Sequence, residues 1–384
     1  MIRTIRSFHW LWCLLLIIVQ GCARGDDEQS GSEPLADPFQ VGSFAIGQTT
    51  YEGDEEVRYL DPMTGTERGL RMVVWYPTDE TRGGSPLFQR EDVTLDVSVS
   101  QTLNTYPLIV FSHGASGFAE ASYMLMERWA SHGFIVAAPD HTGDTAANDG
   151  DPRPTEMYSW RPLDVSAVID WFQASDASHQ FKGRVDDRIL VSGHSYGGYT
   201  TFLSAGASFS DAAFADCIEG ANNAFCRTMT PEYEARMREG FGDSRVKAVV
   251  PIAAGNSYEL GPEGVADISV PTMMITGALD RNCSEEAHGD PYWDALNGND
   301  DIRVQLLTAG HHTFTLTCDV FSDLGQNDNG CTDANIEPEL GQNITAAYVL
   351  AFAWKHLDGV VGYEPLLSGA TSLDESVVVY TKSP

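Results

Sequence analysis

One hexapeptide constrains the chain more than anything else in it. Gly193-His194-Ser195-Tyr196-Gly197-Gly198 follows the apolar run Ile189-Leu190-Val191 and precedes a helical stretch. A serine set among glycines between a strand and a helix describes a sharp, strained turn. The glycines let strand and helix approach closely, and the turn holds the serine hydroxyl out above the strand end. The N–H of Tyr196 is thereby aimed where an oxyanion would form. A bare G-x-S-x-G arises often by chance. The strand before it, the helix after it and the extra glycine make this one specific.

Such a turn belongs at the carboxyl edge of a mostly parallel sheet. Apolar runs at Leu70–Tyr76, Leu108–Ser112, Phe134–Ala138, Arg188–Ser192, Val246–Ile252, Thr272–Thr276 and Arg303–Leu307 predict strands. Helical spacing over Ala121–Ser131, Leu163–Phe172, Tyr199–Ala205 and Ile344–Leu357 separates them. Alternation of this kind predicts an α/β fold with a mostly parallel central sheet flanked by helices. Residues 207–242 break the alternation and are expected to form a small cap over the strand ends, within a domain spanning residues 39–384.

A serine hydroxyl is a poor nucleophile at neutral pH and needs a base and a group to orient that base. On such a sheet the acid and the histidine follow the serine in the chain. Thr272–Thr276 runs into Gly277-Ala278-Leu279-Asp280, and Arg303–Leu307 runs into Thr308-Ala309-Gly310-His311-His312. Asp280 is the expected acid and His311 the expected base, with His312 the alternative. The segment Phe111-Ser112-His113-Gly114-Ala115-Ser116-Gly117 follows an earlier strand. Its Ala115 N–H is the expected second oxyanion donor beside that of Tyr196. His113 reads as a buttress of that loop, Asp140 and His141 as rim residues, and Tyr196 with Phe118 as walls of an acyl site.

Two longer stretches carry a resemblance. Val110-Phe111-Ser112-His113-Gly114, then Trp129-Ala130-Ser131-His132-Gly133-Phe134-Ile135-Val136-Ala137-Ala138-Pro139-Asp140-His141, resemble the platelet-activating factor acetylhydrolase and dienelactone-hydrolase-like branch of the α/β-hydrolases. Val191–Gly198 is similar to the serine turn of that branch, which includes cutinase-like polyester hydrolases. The resemblance runs from about Leu70 to Leu357 and is patchy over residues 207–242. It implies a serine esterase working without metal or organic cofactor, with Ser195, Asp280 and His311 as its catalytic residues and Ala115 and Tyr196 as oxyanion donors. The substrate would be a small-molecule or lipid ester, or a polyester. A peptidase of the same fold, and a silent surface-anchored binding protein, are the rival readings.

The net charge of −32 excludes a nucleic-acid partner, because a polyanion would be repelled. At the start, Arg3 and Arg6 precede the apolar run Phe8–Val19, which is too short to span a bilayer comfortably. Val19-Gln20-Gly21-Cys22 resembles a lipobox, so residues 1–22 are expected to be an export signal with Cys22 as the lipid anchor, the chain's only expected membrane contact. Residues 23–38 read as a flexible tether. An exported chain should pair cysteines. Either Cys217–Cys226 and Cys318–Cys331 form, leaving Cys283 single, or Cys283 pairs with Cys318 and staples the acid and histidine loops together.

Overall fold

The apolar runs pair edge to edge, as strands covered on both faces must. The computed structural model describes residues 35–52, 57–81, 93–147, 154–175, 177–321 and 329–382. The expected export signal and the tether as far as residue 34 lie outside the described residues. Among those described, no helix is long and apolar enough to cross a membrane.

In chain order the first strands are β1 (Ala45–Tyr51), β2 (Val57–Leu60), β3 (Glu67–Leu70), β4 (Met72–Thr78), β5 (Val93–Leu95) and β6 (Tyr106–Ser112). Helix α1 (Tyr123–Ser131), β7 (Ile135–Pro139), α2 (Met157–Gln173), β8 (Val185–His194) and α3 (Tyr196–Ser204) follow. Next come α4 (Asp211–Ile218), α5 (Pro231–Met237), β9 (Val246–Ile252), α6 (Ser257–Val265), β10 (Met273–Gly277) and α7 (Asp290–Ala295). The chain ends with β11 (Ile302–Leu306), α8 (Thr317–Phe321), α9 (Pro338–Leu357), α10 (Glu364–Leu367) and β12 (Val377–Thr381).

Ten strands form one sheet in the order β12-β11-β10-β9-β8-β6-β7-β4-β1-β5, and β2 pairs with β3 apart from it. From β11 to β7 every pairing is parallel. Antiparallel β12 and β4 bound that block. This is the expected mostly parallel α/β sheet. Because successive side chains leave a strand on opposite faces, Ile109 and Phe111 of β6 join a core with α1 and α9, while Leu108 and Val110 join another with α2.

The expected strands all exist, Val246–Ile252 with the expected bounds and the others with edges moved by at most three residues. Leu70 belongs to β3 rather than to β4. Helix α2 begins at Met157, six residues before the expected start, because its first turns are buried almost all round and show no polar face. Residues 207–242 hold α4, α5 and the Cys217–Cys226 disulfide. A third apolar cluster unites Phe209, Phe214 and Phe225 of this segment with Tyr158, Tyr196 and Tyr199. The other disulfide is Cys318–Cys331, and Cys283 is a free thiol. The alternative Cys283–Cys318 pairing does not form.

Candidate active site

Ser195 occupies the junction between β8 and α3 with φ 58° and ψ −117°. A non-glycine residue in this region costs about 1–3 kcal/mol and is held there by its surroundings. Its N–H donates to the Ile252 carbonyl at 2.9 Å. The flanking glycines are sterically required: a Cβ on Gly193 would lie 2.4 Å from the Gly197 carbonyl oxygen, and one on Gly197 would lie 1.9 Å from that of Ser112. Strain gathers around the turn, since Ser116, Ala253 and Asn256 also have positive φ.

Asp280 and His311 follow β10 and β11, parallel neighbours in the sheet, so both reach the carboxyl edge that Ser195 occupies. His311 Nδ1 and Asp280 Oδ2 are 2.7 Å apart, both nearly buried. The other oxygen, Asp280 Oδ1, accepts the backbone N–H groups of Asn282 and Cys283 at 2.8 Å each. Burial opposes ionisation of Asp280, but the bonds from His311, Cys283 and Asn282 outweigh it and hold the carboxyl below its usual range. His312 is not bonded to Asp280. Burial and the neighbouring His311 lower its pKa to about 4, so it is neutral at pH 7.

Asn329 carries no motif and was not foreseen from sequence. Its side-chain oxygen accepts the N–H groups of Arg281 at 2.9 Å and His311 at 3.2 Å. Its carbonyl accepts the N–H of His312 at 2.9 Å. The link between acid and histidine loops that a Cys283–Cys318 bridge would have made is thus made by hydrogen bonds. The Cys318–Cys331 disulfide closes the loop that carries Asn329.

The loop bearing Ala115 is clamped from beneath. Arg161, fully buried in α2, donates to the carbonyls of His113 at 2.6 Å and Gly114 at 3.1 Å, and pairs with Asp144 at 2.7 Å. Asp144 in turn accepts the Ser116 N–H at 2.9 Å. His113 accepts the His141 N–H on Nε2 at 3.0 Å, and its Nδ1 bonds the Gly114 carbonyl, the buttress expected of it. His141 is wholly buried behind this loop and does not line the cavity at Ser195, and Asp140 binds Arg71 and the Ala119 N–H. Arg161 carries no signal in a single sequence, since its charge is matched only once the loops are folded.

A cavity of about 380 Å³ opens at Ser195 and is also lined by Ala115, Tyr196, Tyr158, Glu259 and Cys283. Phe118 is not among its lining residues. The cavity therefore gathers the serine and both residues whose N–H groups were expected to receive an oxyanion. A larger cavity of about 450 Å³ lies between α1 and α9, and none of these residues reaches it. Burial, followed by the Asp280 charge, pushes the pKa of the Cys283 thiol up to about 12. No Ser195–His311 hydrogen bond is present among the described residues, an arrangement common in substrate-free sites whose bonds tighten on binding. The donor atoms of Asp280, Cys283 and His311 lie within 4.8 Å of one another.

Known proteins point the same way. The chlorophyllase family matches residues 89–224, a span that holds the Ala115 loop and Ser195 but ends before Asp280. The chain is 26% identical to cutinase est1 of Thermobifida alba over 285 residues, 73% of this chain and 74% of that protein. It is 28% identical over 138 residues to platelet-activating factor acetylhydrolase of Cavia porcellus, 26% of this chain and 32% of that protein. Among solved structures, a ferulic acid esterase from Streptomyces cinnamoneus superposes with a TM-score of 0.61 at 22% identity, over 88% of this chain and 96% of that one. That likeness carries the fold, and the cutinase and acetylhydrolase likenesses carry the chemistry. The chain is a serine-dependent carboxylic ester hydrolase with the α/β-hydrolase fold.

Proposed function

We propose that Ser195, His311 and Asp280 are the catalytic residues, with the N–H groups of Ala115 and Tyr196 as oxyanion donors. His311 takes the proton of Ser195 as the hydroxyl attacks the ester carbonyl. Asp280 fixes the imidazole tautomer and stabilises the imidazolium. The two amides hold the tetrahedral oxyanion, and Tyr196 suits this because the first N–H groups of a helix lack intrahelical partners. His311 then protonates the departing alcohol, and water releases the acyl group by the same steps. The observation that carries this reading is the 2.7 Å Asp280–His311 bond on the sheet edge that bears the strained Ser195 turn.

The substrate we infer is a short acyl ester or a polyester chain, the chemistry of the cutinases to which the chain is similar. Residues 207–242 act as the cap, since Ala224 lines the Ser195 cavity and Phe225 packs on Tyr158. Residues 1–22 act as an export signal, and lipid attachment at Cys22 anchors the enzyme through the tether.

A chain-length series of p-nitrophenyl esters, a polyester film and an aminoacyl anilide separate the readings. Turnover of short esters and film, without turnover of the anilide, supports the proposal. Equal rates for wild type and Ser195→Ala would overturn it.

A further inference from the structure

Ester hydrolysis by serine, imidazole and carboxylate has no use for a thiol, yet Cys283 faces the reacting groups. It lines the Ser195 cavity and is half-buried and free. Its sulfur lies within 4.8 Å of donor atoms of both Asp280 and His311. The Asx-type turn that seats it is fixed, because Asp280 Oδ1 accepts the Cys283 N–H at 2.8 Å.

The Asp280–His311 pair that makes a general base also makes a metal ligand. A metal-bound histidine characteristically donates its other ring N–H to a carboxylate, which fixes the tautomer and raises the basicity of the free nitrogen. Asp280 holds Nδ1 of His311 in this way, which leaves Nε2 with its lone pair. Sulfur and imidazole are zinc donors, and Cys283 and His311 supply one of each, with Asp280 orienting the imidazole and solvent water completing the coordination. Zinc–sulfur and zinc–nitrogen bonds in a tetrahedral site separate their donors by roughly 3.5 Å. Capture therefore requires the Cys283 sulfur to move to that distance from the ring nitrogen it shares the metal with.

We propose that Cys283 and His311, with Asp280 behind the imidazole, form a capture site for a thiophilic divalent cation such as zinc, and that its binding switches the esterase off. The inference rests on the reading of Ser195 and His311 given above. Capture exchanges the thiol proton for the metal: a Cys283–metal bond forms, the S–H bond breaks, and the proton leaves to solvent. The metal then occupies the His311 nitrogen that must receive the Ser195 proton. The metal is an inhibitor here and no part of the ester chemistry. The net charge of −32 raises the local concentration of cations around the molecule. His288 lines the same cavity but already bonds the Ser257 hydroxyl at 3.0 Å, so it is outside the ligand set.

The test uses the full chain in two arms. In the first, p-nitrophenyl acetate hydrolysis is followed in zinc buffered across a concentration series, for wild type, Cys283→Ala and Cys283→Ser, each normalised to its own zinc-free rate. Wild type should lose activity and regain it on chelation. Both variants should need at least about 100-fold more zinc, because losing even an outer partner of a metal ligand costs roughly 10–100-fold in affinity. In the second arm, cobalt(II) replaces zinc, and wild type should show a near-ultraviolet thiolate-to-cobalt absorption that is missing from Cys283→Ala. Equal zinc sensitivity of wild type and variants, or no thiolate band on wild type, would overturn the proposal. A zinc-free wild type that hydrolyses nothing and resists fluorophosphonate, yet gives the cobalt band, would instead sink the catalytic reading and leave the metal site standing.

Discussion

The molecule strings serine, histidine and aspartate together twice. At the sheet edge, His311 Nδ1 meets Asp280 Oδ2 at 2.7 Å beside Ser195. Beneath the Ala115 loop, His141 Nε2 meets Ser112 Oγ at 2.8 Å and His141 Nδ1 meets Asp164 Oδ2 at 2.9 Å. By residue type and hydrogen bonding the second chain is the more complete. It differs in surroundings. Ser112, His141 and Asp164 are 0% exposed, whereas Ser195 lines an open cavity. Ser112 ends a regular strand, whereas Ser195 sits at φ 58°. Asp164 is shared with Arg68 and Tyr59, and Arg161 stands against Ser112. Burial first, and then the Arg161 charge, lower the His141 pKa to about 4. On the reading proposed above, the first chain accepts a proton from a serine that lines an open cavity; the other is a neutral strut. Access and electrostatics, rather than the three residue types, separate them.

The contrast is easiest to break at the serines. Ser195→Ala should lower kcat by on the order of 10⁴-fold or more and abolish fluorophosphonate labelling. Ser112→Ala should keep labelling, hold kcat within an order of magnitude and cost about 1–3 kcal/mol in a denaturant titration for the buried groups left unpaired. Equal losses of kcat would erase the distinction.

The carboxylates sharpen it. Asp280→Asn should cost about 10⁴-fold in kcat through the wrong imidazole tautomer, with little change in Tm. Asp164→Asn should do the reverse, because it strands buried Arg68: about 3–5 kcal/mol of stability, with the surviving folded enzyme active. A smaller catalytic effect belongs to the strut's neighbour. Arg161→Met frees the His113 and Gly114 carbonyls, and kcat should fall by about 10²-fold with KM nearly unchanged, as expected for a misplaced oxyanion donor. Arg161→Lys restores charge without the fork and should rescue stability more than kcat.

The smallest effect is one of pH. The folded-state pKa of His141, about 4, lies below the unfolded value near 6.5. Between those values the unfolded chain binds more protons, so stability is full above about pH 6.5 and drains away as pH falls toward 4. His141→Asn should flatten part of the Tm decline across that window, and an unchanged slope would mean that His141 is not buried neutral.

Much of the fold and of the site was legible because each relevant residue is announced by its neighbours. Ser195 is flanked by glycines that steric contact demands, and Asp280 and His311 each follow an apolar run that had to be a central strand. Strands β1, β5 and β12, at or next to the ends of the sheet, escaped notice: β1 and β5 lack a continuous apolar run, and β12 is a short strand half-exposed along most of its length. Asn329, Arg161 and the Ser112–His141–Asp164 chain were invisible for a different reason. Their roles are polar and long-range, with partners 17 to 49 residues away in the chain, and no local spacing encodes such pairing. Cys283 lay between these cases: only one of the two pairings open from sequence left it single, and only the folded chain put it in the Ser195 cavity.

Asn329 has a consequence for how the site depends on a disulfide. The ring closed by Cys318 and Cys331, 13 residues apart, restricts the unfolded loop by roughly 3 kcal/mol of chain entropy on the usual polymer reckoning. That bond belongs to the loop whose Asn329 accepts the N–H groups of Arg281, next to Asp280, and of His311. On the catalytic reading proposed above, the Cys318–Cys331 bond thus helps to keep Asp280 and His311 in register through Asn329, and its reduction should lower kcat.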